Sequence, residues 1–158
     1  MSTSKLAVFS SVLLALARGA NAAPPPEPGT VVTLASVEKA LGGKFTARSP
    51  EPGVLFYEET GTGYRQVNVY VSERQGSGIP DLRAQWESQG EPIEDVPGLG
   101  QDAMYRPQGD QVMAEMKDTS GQAFLLAVSV HNADSPEATK RFALELINLA
   151  KARATSKP

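Results

Sequence analysis

The sequence predicts an α+β fold, an antiparallel sheet of about five strands with helices packed mainly on one face, in the order helix, two strands, helix, three strands, helix. Three observations predict it. Segments Arg65–Ser72 and Gln111–Lys117 alternate apolar and polar residues with period two, and Ala123–Val130 is apolar at nearly every position. Downstream of Ser135, apolar residues recur at helical spacing in a stripe covering half of the helix surface. The links between successive strands are hairpin-length and rich in Gly, which makes the pairing antiparallel.

The chain has 158 residues, a length that suits one domain once a leader is set aside. Lys5 supplies a positive start, Leu6–Ala17 is an apolar run, and Ala20-Asn21-Ala22 has the small-x-small form of a signal-peptidase site. The run stops at Arg18, short of the roughly 20 residues a membrane-spanning helix needs, so a cleaved signal peptide over residues 1–22 is expected and no stable membrane anchor. Residues 23–32, with Pro24, Pro25, Pro26 and Pro28, are expected as an extended spacer, residues 33–154 as the single domain, and 155–158 as a tail.

Cysteine is absent, which excludes a disulfide framework and the acceptor of a lipid anchor. Without Lys5 and Arg18 the chain has 13 basic against 18 acidic side chains, a net charge of −5. Nucleic acid and anionic membrane surfaces need clustered positive charge and are not expected as partners. The composition instead matches a periplasmic or secreted protein held together by packing.

Each element has its own signature. Thr33 is a helix N-cap before Leu34, Val37 and Leu41, and Gly42-Gly43 stops that helix. Phe45–Gly53 contains Pro50 and Pro52 and is expected to be irregular. Val54–Glu59 suits a strand, Thr60–Gly63 a turn, and Arg65–Ser72 a strand with Val67, Val69 and Val71 on one face and Gln66, Asn68, Tyr70 and Ser72 on the other. Pro80 opens a helix running to about Gln89, whose inner face carries Ile79, Leu82 and Trp86. The stretch Val96–Tyr105 leads into the sheet, with Ala103–Arg106 a short strand and Pro107–Asp110 a turn. Val112, Ala114 and Met116 then oppose Met113 and Glu115. In Ala123–Val130, Leu125 and Ala127 back onto Phe124, Leu126 and Val128, so this strand is expected at the sheet centre. Ser135-Pro136-Glu137 starts a helix to about Arg153, with Ala138, Phe142, Ala143, Leu146, Ile147, Leu149 and Ala150 inward.

No motif reaches a catalytic or cofactor signature, and no cofactor or metal is expected. Gly98-Leu-Gly-Gln-Asp-Ala103 has the G-x-G-x-x-A spacing of dinucleotide sites, but Ala103 begins a strand where that motif requires a helix. His131 is the sole histidine, at a strand end beside Asn132 and Asp134, and no G-x-S-x-G elbow accompanies it. One histidine is poor provision for zinc. The pairs Glu58-Glu59 and Glu94-Asp95 lie in extended segments, where neighbours point to opposite faces and form no local dyad. Interaction candidates are Tyr64, Tyr70, Leu99, Tyr105 and His131. Tyr70 stands out because an aromatic sits on the polar face of a valine strand.

From Val96 onward, the run Val-Pro-Gly-Leu-Gly-Gln-Asp-Ala, then Gln111-Val-Met-Ala-Glu-Met-Lys117, then Phe124-Leu-Leu-Ala-Val-Ser-Val130 and the closing Ala/Leu-rich helix resemble uncharacterised exported bacterial domains of the LpqN-like kind, many of them lipoproteins. Ala40-Leu41-Gly42-Gly43 is similar to their opening segment. The resemblance implies a PsbP-like or Mog1-like α/β/α sandwich and carries no catalytic residues across. The acylated cysteine of the lipoprotein members is missing here.

A non-enzymatic, exported interaction module binding a protein partner in the cell envelope is therefore expected. It would use a sheet face or the loops around Gly98, for example as an inhibitor of a basic hydrolase or toxin, or as a secretion accessory. Two alternatives stay open at this level: a small-molecule carrier with a pocket between the sheet and the Trp86 helix, and a hydrolase using His131 with a carboxylate.

Overall fold

A computed structural model describes residues 23–155, and the expected leader and residues 156–158 lie outside the described residues. Six strands form one sheet: β1 (Phe45–Glu51), β2 (Val54–Glu59), β3 (Gln66–Glu73), β4 (Ala103–Arg106), β5 (Gln111–Lys117) and β6 (Ala123–His131). Their spatial order is β1-β2-β3-β6-β5-β4, and every neighbouring pair is antiparallel. Four helices pack on it: α1 (Pro28–Val31), α2 (Leu34–Leu41), α3 (Ile79–Ser88) and α4 (Pro136–Thr155). The fold is α+β, as the alternation patterns require.

The period-two pattern decides which face each residue serves. Val67, Val69 and Val71 of β3 align with Val130, Val128 and Leu126 of β6, and these in turn with Val112 and Ala114 of β5. This face forms the main core with Val37 and Leu41 of α2 and Ala143, Leu146, Ile147 and Ala150 of α4. Leu126, Leu146 and Ile147 are fully buried, each contributing roughly 1.5–3 kcal/mol by leaving water. Strand β6 is central and apolar on both faces because both of its faces are covered.

The helix caps follow the predicted chemistry. Thr33 Oγ1 accepts from the Ser36 N–H at 3.3 Å, and Ser135 Oγ accepts from the Ala138 N–H at 3.1 Å. Replacing Ser135 by alanine orphans a donor at the start of α4. The expected loss is about 1 kcal/mol in chemical denaturation.

The structure corrects two expectations. Phe45–Glu51, expected to be irregular, is strand β1. It lies at a sheet edge, where Pro50 need not donate a ladder bond, and the pairing shifts register between Arg48 and Glu51, around the proline. The connection to β2 turns at Gly53, whose φ of +78° and whose approach to the Val71 carbonyl leave no room for a Cβ.

Pro28–Val32 is not a free spacer. It forms the turn α1 and places Val32 in the core, where the Tyr57 hydroxyl donates to the Val32 carbonyl. Tyr57→Phe leaves that buried carbonyl unpaired and is expected to cost about 1–2 kcal/mol, read from the urea midpoint. Burial also pushes the Tyr57 phenol up to about 12 from its ordinary 10.0, with Arg153 opposing the shift. The folded state holds this proton more tightly than the unfolded one. The corresponding stabilisation is present below pH 10 and lost between pH 10 and about 12, so Tyr57→Phe should flatten the alkaline limb of stability against pH.

Helices α1, α2 and α4 share one face, as expected of most of the helices, and α3 lies apart from them. It covers the opposite face over β4, β5 and β6, where Ile79, Leu82, Trp86 and Ile93 pack on Met104, Met113, Leu125 and Ala127. The space between the sheet and Trp86, which the alternative reading as a small-molecule carrier would use as its pocket, is filled by these side chains. Trp86 anchors the helix, with the Arg106 guanidinium 4.8 Å from its ring centroid and that guanidinium gripped in turn by Glu91.

Candidate functional site

Because α3 spans only one half of its face, the half formed by β1, β2 and the start of β3 carries no helix among the described residues. The register sets what it displays. Arg48, Phe56, Asn68 and Ser129 lie in one row across β1, β2, β3 and β6, and Thr46, Glu58, Gln66 and His131 in the next. Val54 and Tyr70 make a third row at the margin of the open half, where the partly buried Tyr70 packs against the edge of the cluster that α3 covers.

Two networks hold this surface. In the first, the Arg48 guanidinium lies 5.2 Å from the Phe56 centroid and bonds Glu58 at 3.0 Å, while Phe56 meets Tyr70 edge to face with centroids 6.4 Å apart. In the second, Gln66 Nε2 donates to Asn68 Oδ1 at 2.6 Å, and Asn68 Nδ2 reaches His131 Nε2 at 3.1 Å. Ser129 Oγ lies 3.2 Å from the same His131 nitrogen. Asn68 and Ser129 are buried polar groups, and every such side-chain atom among the described residues has a partner. Burial raises the Tyr70 phenol above its ordinary range, Asn68 partly offsets that by hydrogen bonding, and Glu51 adds to it. The result is a stiff surface with aromatic and amide groups fixed in place.

The Ser129–His131 contact invites comparison with a nucleophile and its base, but its geometry differs. A catalytic base turns one nitrogen to the nucleophile and the other to an orienting acceptor. Here the Asn68 amide competes with Ser129 for the same nitrogen, and Ser129 is buried within a central strand. The acidic pairs separate as extended neighbours must. Glu58 bonds Arg48 while Glu59 bonds Arg65, and Glu94 bonds Lys140 while Asp95 bonds Arg83. Arg65 also donates to the Leu41 and Gly42 carbonyls, tying α2 to the β2–β3 turn, and its hydrogen bond holds the Glu59 carboxyl below the ordinary range. No group of three or more His, Asp or Glu side chains among the described residues is placed to hold a metal. No helix among them is long and apolar enough to cross a membrane.

The five candidate residues are therefore split. Tyr70 and His131 meet on the open half-face through Asn68. Tyr64, 82% exposed, lies in the β2–β3 turn near its rim, its carbonyl accepting from Asn132. Tyr105 points into the main core, with Lys140 Nζ 4.6 Å from its ring centroid. Leu99 packs half-buried against that core in the turn whose Gly98 and Gly100 have φ of +81° and +66°. Beside this turn is a cleft of about 650 Å³ against α3, bordered by Arg83, Glu87, Asp95 and Gln101. Arg83 bonds both of its carboxylates, leaving no unmatched cation.

Sequence reasoning missed Arg48 and Phe56. Phe56 was visible as the residue alternating with Leu55 and Tyr57, but its row could be assigned only from the register with β3. No protein-family model, curated protein or solved structure matches the chain.

Proposed function

We propose that this protein is an exported protein-interaction module, working in the periplasm or outside the cell, that takes its partner on the open half of the sheet. Export rests on the leader-like composition of residues 1–22. The observation that carries the reading is the uncovered half-face bearing the Arg48–Phe56–Tyr70 stack. Arginine and aromatic side chains dominate binding energy at protein interfaces, and a surface already held in place loses little freedom on association. The two charged groups of the stack's surround, Arg48 and Glu58, match each other, so affinity should depend only weakly on salt. That favours shape and aromatic contact over attraction of a basic target by net charge.

Affinity capture from a cell-envelope extract with the leader-free chain tests the proposal. A specific protein is expected with the native chain and with Lys117→Ala, on a separate part of the surface, and not with the Arg48→Ala/Phe56→Ala double variant. Equal capture of that protein by the double variant overturns the assignment.

A further inference from the structure

We propose that the hollow at the C-terminal end of α4 binds a single-chain carboxylate, a medium-length alkanoate, with its head on Arg153 and its chain over Phe124. This site is separate from the open half-face and does not depend on it. The hollow has a volume of about 250 Å³ and lies between α1, the β5–β6 turn and α4. Its floor is apolar: Met116, Phe124 and Ala150 are core residues, with Pro26 and Val31 closing one side. The volume is below the roughly 300–1,000 Å³ of drug-sized ligand sites, which suits one short chain and excludes a two-chain lipid.

The charge around it is unbalanced. Among the described residues seven basic side chains form ion pairs and five, Lys39, Lys117, Arg141, Lys151 and Arg153, have no carboxylate partner; three of these five, Lys117, Lys151 and Arg153, lie close together at one end of α4. All three border this hollow or the one adjoining it. Two carboxylates lie nearby, and one of them, Asp118, borders the hollow itself, so Lys117 and Arg153 leave it with one net positive charge. Asp118 accepts from Ser120 and Gln122 within its own turn, which lowers its pKa, and Glu115 is bonded to Arg74 at 2.8 Å. The helix dipole accounts for basic residues in the last turn of α4. It does not account for an apolar recess beneath them, and the two together match an amphiphile with one negative end.

The test is an NMR titration of the leader-free chain with sodium hexanoate, sodium octanoate and 1-octanol. Saturable amide shifts are expected at Val31, Phe124 and Ala150, with octanoate tighter than hexanoate by about fourfold per methylene. Arg153→Gln, at an exposed position that leaves the fold intact, should weaken octanoate about tenfold, and 1-octanol should bind the native chain as weakly. Lys117→Gln should weaken octanoate by a smaller factor. Unsaturable shifts scattered over the surface, or equal affinities for octanoate and 1-octanol, overturn the proposal. Octanoate binding unchanged by Arg153→Gln does so as well.

Discussion

Leu126→Ala is expected to destabilise the fold by about 2–5 kcal/mol, the largest effect of any single truncation on the sheet. Leu126 lies at the middle of β6, opposite Val71 on β3 and Ala114 on β5, and is fully buried under α4. Its neighbours on both sides are strands pinned by ladder bonds, so they cannot close over the lost atoms, and the cavity term adds to the transfer term. The urea midpoint should fall with an unchanged slope, and the melting temperature by roughly 10 °C. A loss below 1 kcal/mol would mean that β6 is not the centre of the core.

Phe56→Ala is expected to weaken the partner complex by at least about 30-fold while barely changing stability. Phe56 is half-buried, and what covers it is Arg48 and Tyr70 rather than a helix. Truncation removes the ring that both neighbours rest on, so the partner loses the aromatic anchor and meets a loosened arginine. Calorimetric titration with the captured partner reads this effect directly. Destabilisation comparable to that of Leu126→Ala, with binding retained, would place Phe56 in the core instead.

Local pattern made much of this architecture legible. Period-two alternation assigned Val67, Val69 and Val71 to the covered face and Tyr70 to the other, and the doubly apolar β6 announced its central place. The caps at Thr33 and Ser135 were equally readable. Strand β1 was not, because Pro50 is a strand breaker everywhere except at an edge or a bulge, and being an edge is a property of the whole sheet. The same limit hid the α3 arrangement. Ile79, Leu82 and Trp86 reveal that α3 has an inner side but not which face of the sheet it meets. Non-local register also assembles the site: Arg48, Phe56, Asn68 and Ser129 come from four strands and share nothing in sequence. Tyr105 shows the converse error, since an aromatic in a short strand reads as surface until the strand is placed beneath α4.

Amide hydrogen exchange of the leader-free chain, free and saturated with its captured partner, tests the central claim most directly. The account predicts slowed exchange in β1, β2 and the first half of β3, around Arg48, Phe56 and Asn68, with the last turns of α4 and the Gly98–Gly100 turn unchanged. Protection confined to the Gly98–Gly100 turn or to α4, with β1 and β2 exchanging as in the free chain, would contradict it.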